Sequence, residues 1–326
     1  MNSFLFALTS VTPIVAMVAI GYLLKRIGLL SPATGKAMNR VVFHVLIPAM
    51  MFVNIYNMED VATLDFTYVL YGLGMTLVIF FAMLPITGLL TKERNRRGVL
   101  SQGAFRSNYS LVGLPLVLSV CGPSGIPAAT LMLTFATPLY NILAVFVLSL
   151  FGGGQKRPSI GKILLGICKN PLIQAVAAGF FFIGIRYLFG IWEISFRLSD
   201  ITPLFRVLNY LSDAATPLAL LSLGAQFEFS AISGLRREIT AGVLLRNLIV
   251  PLLGMGCALL FFEFSAAQYA ALVALFVTPV AVSSAPMAQE MGGDGDLAGQ
   301  LVIWTTIFSA LSLFLVIFFL RAIAIF

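Results

Sequence analysis

The 326-residue chain is 60% hydrophobic and only 10% charged, and its mean hydropathy is +1.00. These values exclude a soluble globular domain and make the lipid bilayer its main solvent. A formal net charge of +7 would suit nucleic acid, but the Lys and Arg residues stand in short clusters between apolar runs. We therefore predict no nucleic-acid partner.

Composition and motifs also argue against catalytic chemistry. The single histidine and the three isolated cysteines have neither the spacing of a metal site nor that of a disulfide framework. The sequence shows no nucleotide-binding loop and no nucleophile–base pair. We predict no metal, no resident cofactor and no enzyme activity.

In chain order, the apolar runs predict membrane-spanning helices of roughly 20 residues each. The first run lacks the basic start of a secretory signal, so it is predicted to be a retained span. We predict an all-α integral membrane protein with ten spans, at 3–24, 41–57, 67–90, 98–121, 127–151, 163–189, 201–226, 238–262, 266–290 and 297–324.

The charges between the spans predict the orientation of the chain. One set of alternate loops carries 13 Lys and Arg residues and the other carries four. By the positive-inside rule the richer set is cytoplasmic, so both termini face away from the cytoplasm of a bacterial inner membrane. The thirteen are Lys25, Arg26, Lys36, Arg40, Lys92, Arg94, Arg96, Arg97, Lys156, Arg157, Lys162, Arg236 and Arg237.

The two halves of the chain resemble each other at an offset near 170 residues. Gly113-Leu114-Pro115 in the fourth span, for example, lines up with Ser284-Ala285-Pro286 in the ninth. Five spans is an odd number, so the second half, 163–326, is predicted to be inverted in the membrane relative to the first, 1–151.

Pro115 and Pro286 predict breaks in the fourth and ninth spans. Proline removes a backbone donor and clashes with the preceding turn, which frees backbone groups in the middle of the bilayer. Such groups are tolerated only where protein, water or ligand satisfies them. Interrupted spans in matching positions of an inverted repeat indicate a transporter with a site near the midplane, and half-helix N-termini favour an anion there.

Three motifs in order resemble those of the auxin efflux carrier family. The fourth span matches the family's Arg-x-Asn-x-x-x-x-Gly-x-Pro-Leu element at Arg106, Asn108, Gly113, Pro115 and Leu116. The seventh span matches at Pro217–Ala225, and the end of the ninth at Ala288–Asp294. The resemblance covers essentially the full length, is that of a bacterial member, and extends distantly to the bile acid/sodium symporters.

The resemblance implies a fold in which helices four and nine cross at their broken midpoints. It implies a panel part, at 1–57 and 163–226, and a crossover part, at 67–151 and 238–326, which moves against the panel as an elevator. It also implies a homodimer formed through the panel.

The substrate site is implied by the same resemblance. In the plant relatives an asparagine of the fourth span binds the substrate carboxylate, which corresponds here to Asn108. The ninth span departs from the plant pattern, because Ser283 and Ser284 stand where the partner asparagine would be. The predicted substrate site comprises Arg106, Asn108, Gly113, Leu114, Pro115, Ser283, Ser284 and Pro286. The alternatives are an interfacial anchor for Arg106 and an interhelical hydrogen bond for Asn108.

His44 and Asp213 occupy equivalent positions of the two halves, each four residues before a proline, Pro48 or Pro217. Ionisable groups inside spans are functional candidates, so either residue is a candidate carrier of a coupling proton. The alternatives are a neutral, hydrogen-bonded core histidine and, for Asp213, a structural pairing with Arg246.

We expect a secondary active transporter that moves small organic anions by alternating access. The expected substrates are mono- or dicarboxylates, auxin-like or malate- or malonate-like, and the expected coupling ion is H⁺ or Na⁺. Two alternatives stay open. A sodium-coupled carrier like the bile acid symporters would require Na⁺, and a membrane ligand sensor would bind without flux.

Overall fold

The computed structural model describes residues 3–57, 66–152 and 160–326. Within these ranges the regular structure is helical, apart from one isolated bridge, so the prediction of an all-α chain is confirmed there. The predicted loop charges Lys156 and Arg157 lie outside the described residues. Helical stretches long and apolar enough to cross a bilayer are Pro32–Tyr56, Thr67–Leu90, Tyr109–Phe151, Pro171–Ile191, Ala231–Phe261 and Gly295–Ala322.

The first half begins with a helix that ends in two basic residues and continues with helices whose starts are set by caps and prolines. Ser31, for example, accepts a hydrogen bond from the Thr34 amide at 3.0 Å, directly before a proline in the first turn. The helices are α1 Ser3–Arg26, α2 Pro32–Val41, α3 Ile47–Tyr56, α4 Thr67–Leu90, α5 Arg94–Phe105, α6 Leu114–Cys121 and α7 Ile126–Phe151. A π-helical turn, Val42–Leu46, joins α2 to α3, and another, Tyr109–Gly113, precedes α6.

The second half of the described chain contains eight helices. Its helices are α8 Ile160–Lys169, α9 Pro171–Ile191, α10 Thr202–Gln226, α11 Ala231–Leu244, α12 Val250–Phe261, α13 Ala266–Phe276, α14 Ser284–Glu290 and α15 Gly295–Ala322. A π-helical turn, Leu245–Ile249, joins α11 to α12. The predicted single span at 163–189 is wrong, because Asn170 caps α9 by accepting from the Leu172 amide and ends α8 before it.

Two interruptions in the helices meet each other. Residues 106–108 separate α5 from the turn before α6, and 277–283 separate α13 from α14. The Asn108 amide donates to the Pro279 carbonyl at 2.8 Å, and the Ala281 amide donates to the Arg106 carbonyl at 3.3 Å. These bonds form an antiparallel bridge between Ser107 and Val280. The interruptions thereby satisfy part of each other's backbone inside an apolar bundle.

The prolines predicted to cause these breaks lie beyond them. Pro115 is in the first turn of α6, and Pro286 is in the first turn of α14. A missing amide proton does little harm in the first turn of a helix, because that amide has no intrahelical partner. The prediction that the breaks occur at the prolines is wrong: each proline follows its break.

The first helices of each half pack together. α1 packs along α10, and α10 also contacts α2 and α3, while α3 packs on α9. Gly21 of α1 and Gly224 of α10 lie at the crossing, where a Cβ on Gly224 would collide with the Val18 carbonyl oxygen. Small residues at such crossings allow membrane helices to approach closely. The interrupted helices lie in the remaining group, in which α13 packs on α6 and α7 and α11 packs on α15.

Candidate functional site

A small polar cavity of about 60 Å³ lies where the two interruptions meet. Both interruptions contribute to its wall, together with α3, α7 and α10. Its lining is Met50, Met51, Arg106, Ser107, Asn108, Tyr109, Ser110, Leu111, Thr137, Tyr140, Asn141, Thr216, Ala281, Val282 and Ser283. Three of the predicted site residues, Arg106, Asn108 and Ser283, are thus brought together.

Arg106 is the one cationic side chain in this lining. It is 3% exposed, and one terminal nitrogen donates to Asn141 Oδ1 and Ser283 Oγ, each at 2.9 Å. Its other terminal nitrogen points at the Met287 sulfur. All these partners are neutral, the lining holds no Asp or Glu, and no ion pair of the described residues includes Arg106. A buried guanidinium without a counter-ion favours an anionic ligand.

Asn108 adds an unused donor beside this charge. Its backbone is fixed by the bond to the Pro279 carbonyl, and its side chain is 5% exposed. The Nδ2 amide is buried and has no hydrogen-bond partner among the described residues. Buried donors are nearly always satisfied, so an unpaired one in a cavity wall indicates a ligand or water that is bound there.

The fifth predicted span, observed as α7, supplies polar residues that the sequence analysis missed. Tyr140 Oη accepts from the Ser107 hydroxyl at 3.1 Å, and Asn141 is oriented by a bond from its Nδ2 to the Thr137 carbonyl at 2.9 Å. Asn141 in turn orients Arg106. The sequence signal for them was the run of polar residues around Pro138 within an apolar span, because polar groups inside a membrane span need hydrogen-bond partners.

The other predicted site residues lie elsewhere. Gly113 packs tightly on Ala274, where a Cβ would contact the alanine side chain at 2.8 Å. Leu114 is half-buried and Pro115 is exposed, and neither contributes to the cavity lining. Ser284 is buried, with a hydroxyl that has no partner among the described residues.

Pro286 contributes to a second, larger cavity of about 360 Å³ between α2, α10, α14 and α15. Its walls carry both signs of charge, with Lys36 on α2 and Asp296 on α15. Gln289 of α14 crosses this cavity and donates to Gln226 of α10 at 2.7 Å. The contact joins the helix group that contains α1 and α10 to the group that contains the interrupted helices.

The candidate coupling residues lie outside the small cavity. His44 is exposed on the π-helical turn before α3, with Nδ1 at 3.0 Å from the Arg40 carbonyl oxygen, so the alternative of a buried core histidine is wrong. Asp213 is exposed on α10. Of the two prolines, Pro48 is half-buried and Pro217 is exposed.

The suggested pairing of Asp213 with Arg246 is wrong. Arg246 is 1% exposed, and its three nitrogens donate to main-chain carbonyls, those of Ala104, Leu275 and Thr278. Arg246 is buried against these carbonyl oxygens, Asp213 is exposed, and no ion pair of the described residues includes either of them.

A polar cavity enclosed by interrupted helices within an apolar bundle is typical of membrane transport proteins. The sequence profile of the family described as "Membrane transport protein" matches residues 6–317. The chain therefore belongs to this family, and the resemblance to the auxin efflux carriers is confirmed.

Three named relatives match the chain, two of them over nearly its whole length. An uncharacterized transporter of Methanothermobacter thermautotrophicus is 26% identical over 322 residues, which are 95% of this chain and 97% of that protein. A protein of Rhizobium meliloti named "Putative malonate transporter" is 24% identical over 323 residues, 96% of this chain and 95% of that protein. An uncharacterized transporter of Methanocaldococcus jannaschii is 28% identical over 233 residues, 67% of this chain and 68% of that protein.

Proposed function

We propose that this protein is a secondary active transporter of small organic anions, in which Arg106 and Asn108 bind the substrate carboxylate. The observation that carries the proposal is the buried Arg106 guanidinium, which has only neutral partners and shares a cavity wall with the unpaired Asn108 amide. A carboxylate accepts several hydrogen bonds and neutralises the charge, so it suits both groups at once. Transport of this kind needs no catalytic step.

The size and chemistry of the cavity favour a short substrate. A volume of about 60 Å³ suits a compact anion better than an aromatic one such as auxin. One carboxylate would bind Arg106 and Asn108, and the hydroxyl group of Ser283, which accepts a hydrogen bond from Arg106, keeps its own proton to donate to a second carboxylate. The name of the Rhizobium meliloti relative, 24% identical, supports malonate as the first dicarboxylate to test.

We further propose ten spans arranged as two inverted five-helix repeats, with crossing helices four and nine. The interrupted helices in matching positions of the two halves support this, as does the bridge between Ser107 and Val280. The group with α1, α2, α3, α9 and α10 would form the panel, through which two copies would dimerise, and the remaining helices would move against it as an elevator. The loop charges favour a bacterial inner membrane with both termini outside the cytoplasm.

The coupling ion that we propose is the proton, with His44 and Asp213 as candidate carriers. Both are ionisable residues within helices that the proposal places in the membrane, where such groups are functional candidates. Sodium coupling is the competing proposal.

The test is uptake by purified protein in proteoliposomes. Labelled malonate, malate, succinate, lactate and indole-3-acetate would be offered under an imposed pH or sodium gradient. Asn108→Ala should lower uptake by about tenfold or more, because it removes a hydrogen bond to the charged carboxylate of the substrate. Asn57→Ala is the matched control, since Asn57 is exposed at the end of α3.

Two results would overturn the proposal. Saturable uptake that is equal in wild type and Asn108→Ala would place the substrate elsewhere. Tight anion binding by the wild type without flux under either gradient would instead favour a membrane sensor.

A further inference from the structure

Arg246 lies at a second junction of the interrupted helices and does not line the substrate cavity. It sits in the π-helical turn Leu245–Ile249 and is 1% exposed. Nε donates to the Thr278 carbonyl at 2.8 Å, one terminal nitrogen to the Ala104 carbonyl at 2.9 Å, and the other to the Leu275 carbonyl at 3.0 Å. All three acceptors are main-chain oxygens.

These oxygens belong to the C-terminal ends of both interrupted helices. Ala104 is in the last turn of α5, Leu275 is in the last turn of α13, and Thr278 is the second residue after α13. A helix C-terminus leaves carbonyl groups without intrahelical partners and carries about half a negative charge. Two such ends converge on one point here, so the site attracts a cation.

In secondary transporters, carbonyl groups at the C-terminal ends of interrupted helices are typical ligands of the coupling sodium ion. In this protein the carbonyl groups of Ala104, Leu275 and Thr278 are taken up by one covalently attached guanidinium. A guanidinium stays charged at every physiological pH, and its planar fork of donors reaches several acceptors at once.

We propose that Arg246 is a built-in cation that holds the ends of α5 and α13 together in place of a bound sodium ion, so that transport proceeds without Na⁺. The inference rests on the proposed transport function and specifies its coupling. Arg246 is a positioning residue: it contacts the two helices that carry the substrate cavity and contributes nothing to the cavity lining.

The first experiment uses the wild-type protein alone. Malonate uptake into proteoliposomes would be measured in sodium medium and in choline medium at the same pH gradient. We expect the two rates to agree within about twofold, because the guanidinium of Arg246 already supplies a positive charge to the carbonyl groups of Ala104, Leu275 and Thr278. A saturable sodium requirement would overturn the inference while leaving the anion transporter intact.

The second experiment measures thermal stability in detergent, and it does not depend on any substrate. Arg246→Gln, Arg246→Lys and the control Arg236→Gln, an exposed arginine on α11, would each be heated in choline, sodium or millimolar methylguanidinium. We expect methylguanidinium to raise the melting temperature of Arg246→Gln and not that of the wild type or the control. Arg246→Lys should be less stable than wild type, since an ammonium lacks the planar fork.

The outcomes separate the two proposals. No uptake of any anion, with a methylguanidinium effect confined to Arg246→Gln, would overturn the transport function and retain the role of Arg246. A sodium-specific rise in the melting temperature of the wild type would overturn the role of Arg246 even if Arg246→Gln fails to fold. The role of Arg246 would also be overturned if no cation changed the melting temperature of a folded Arg246→Gln.

Discussion

The side-chain amides of Gln226 and Gln289 are joined by a hydrogen bond of 2.7 Å, which links the last residue of α10 to the short helix α14. Both residues line the cavity of about 360 Å³. By the proposed architecture α10 belongs to the panel and α14 to the moving part. A contact between two parts that must separate during each cycle acts as a gate.

Cross-linking the two positions should therefore stop transport. In Gln226→Cys/Gln289→Cys, a short bifunctional thiol reagent should abolish uptake, and reduction of a cleavable linker should restore it. Each single variant needs the same treatment, because Cys121, Cys168 and Cys257 are free thiols. Full uptake by protein whose cross-link is verified by mass spectrometry would show that these helices do not separate.

A carboxylate introduced at Asn108 should compete with the substrate. Asn108 and Arg106 line the same cavity, so the new carboxylate of Asn108→Asp would neutralise the guanidinium that the substrate needs. We expect the KM for malonate to rise by roughly tenfold or more in Asn108→Asp relative to wild type, and by less in Asn108→Ala. The uptake kinetics of both variants, with Asn57→Asp as the exposed control, measure this change in KM. An Asn108→Asp carrier with wild-type KM would mean that Arg106 does not bind the anion.

The sequence predicted the substrate cavity only in part. The motif around Arg106 and Asn108 and the serine pair in the ninth span indicated which interruptions carry polar groups, because polar residues in apolar spans need partners. Asn141 and Tyr140 were missed, since only the packing of α7 against the interruptions brings Asn141 to Arg106 and Tyr140 to Ser107.

The positions of the breaks were predicted less well than the order of the helices. Hydropathy and prolines locate spans, but an interruption is set by where two backbones pair, here between Ser107 and Val280. The predicted pairing of Arg246 with Asp213 was wrong for the same reason, because backbone packing sets its observed partners. They are carbonyl groups, which every residue has, so no sequence pattern distinguishes them.

The close crossing of α1 and α10 gives a stability prediction. A methyl group at Gly224 would collide with the Val18 carbonyl oxygen and the Tyr22 amide, so Gly224→Ala should lower the free energy of unfolding by about 1–3 kcal/mol. Gly256→Ala on α12 is the matched control, because its Cβ would have no heavy atom within 4 Å. Thermal denaturation in detergent measures both, and equal melting temperatures would contradict the tight crossing.

The proposed proton carriers give a prediction about pH. Replacing His44 by Gln or Asp213 by Asn removes the titrating group and keeps a polar side chain of similar size. If either residue carries the coupling proton, its variant should lose or shift the pH dependence of uptake while retaining malonate binding. Proteoliposome uptake rates of the wild type and both variants over a series of pH values test this. Unchanged profiles in both variants would assign coupling to another group.

The bridge between Ser107 and Val280 also bears on how the protein is made. It joins residues 107 and 280, so its second residue is synthesised only after most of the chain. Until residues 277–283 have been inserted, the backbone groups next to Arg106 lack these partners and the cavity lacks one of its walls. If this cavity binds the substrate as proposed, the nascent first half cannot hold it, and the protein becomes competent only near the end of its own translation.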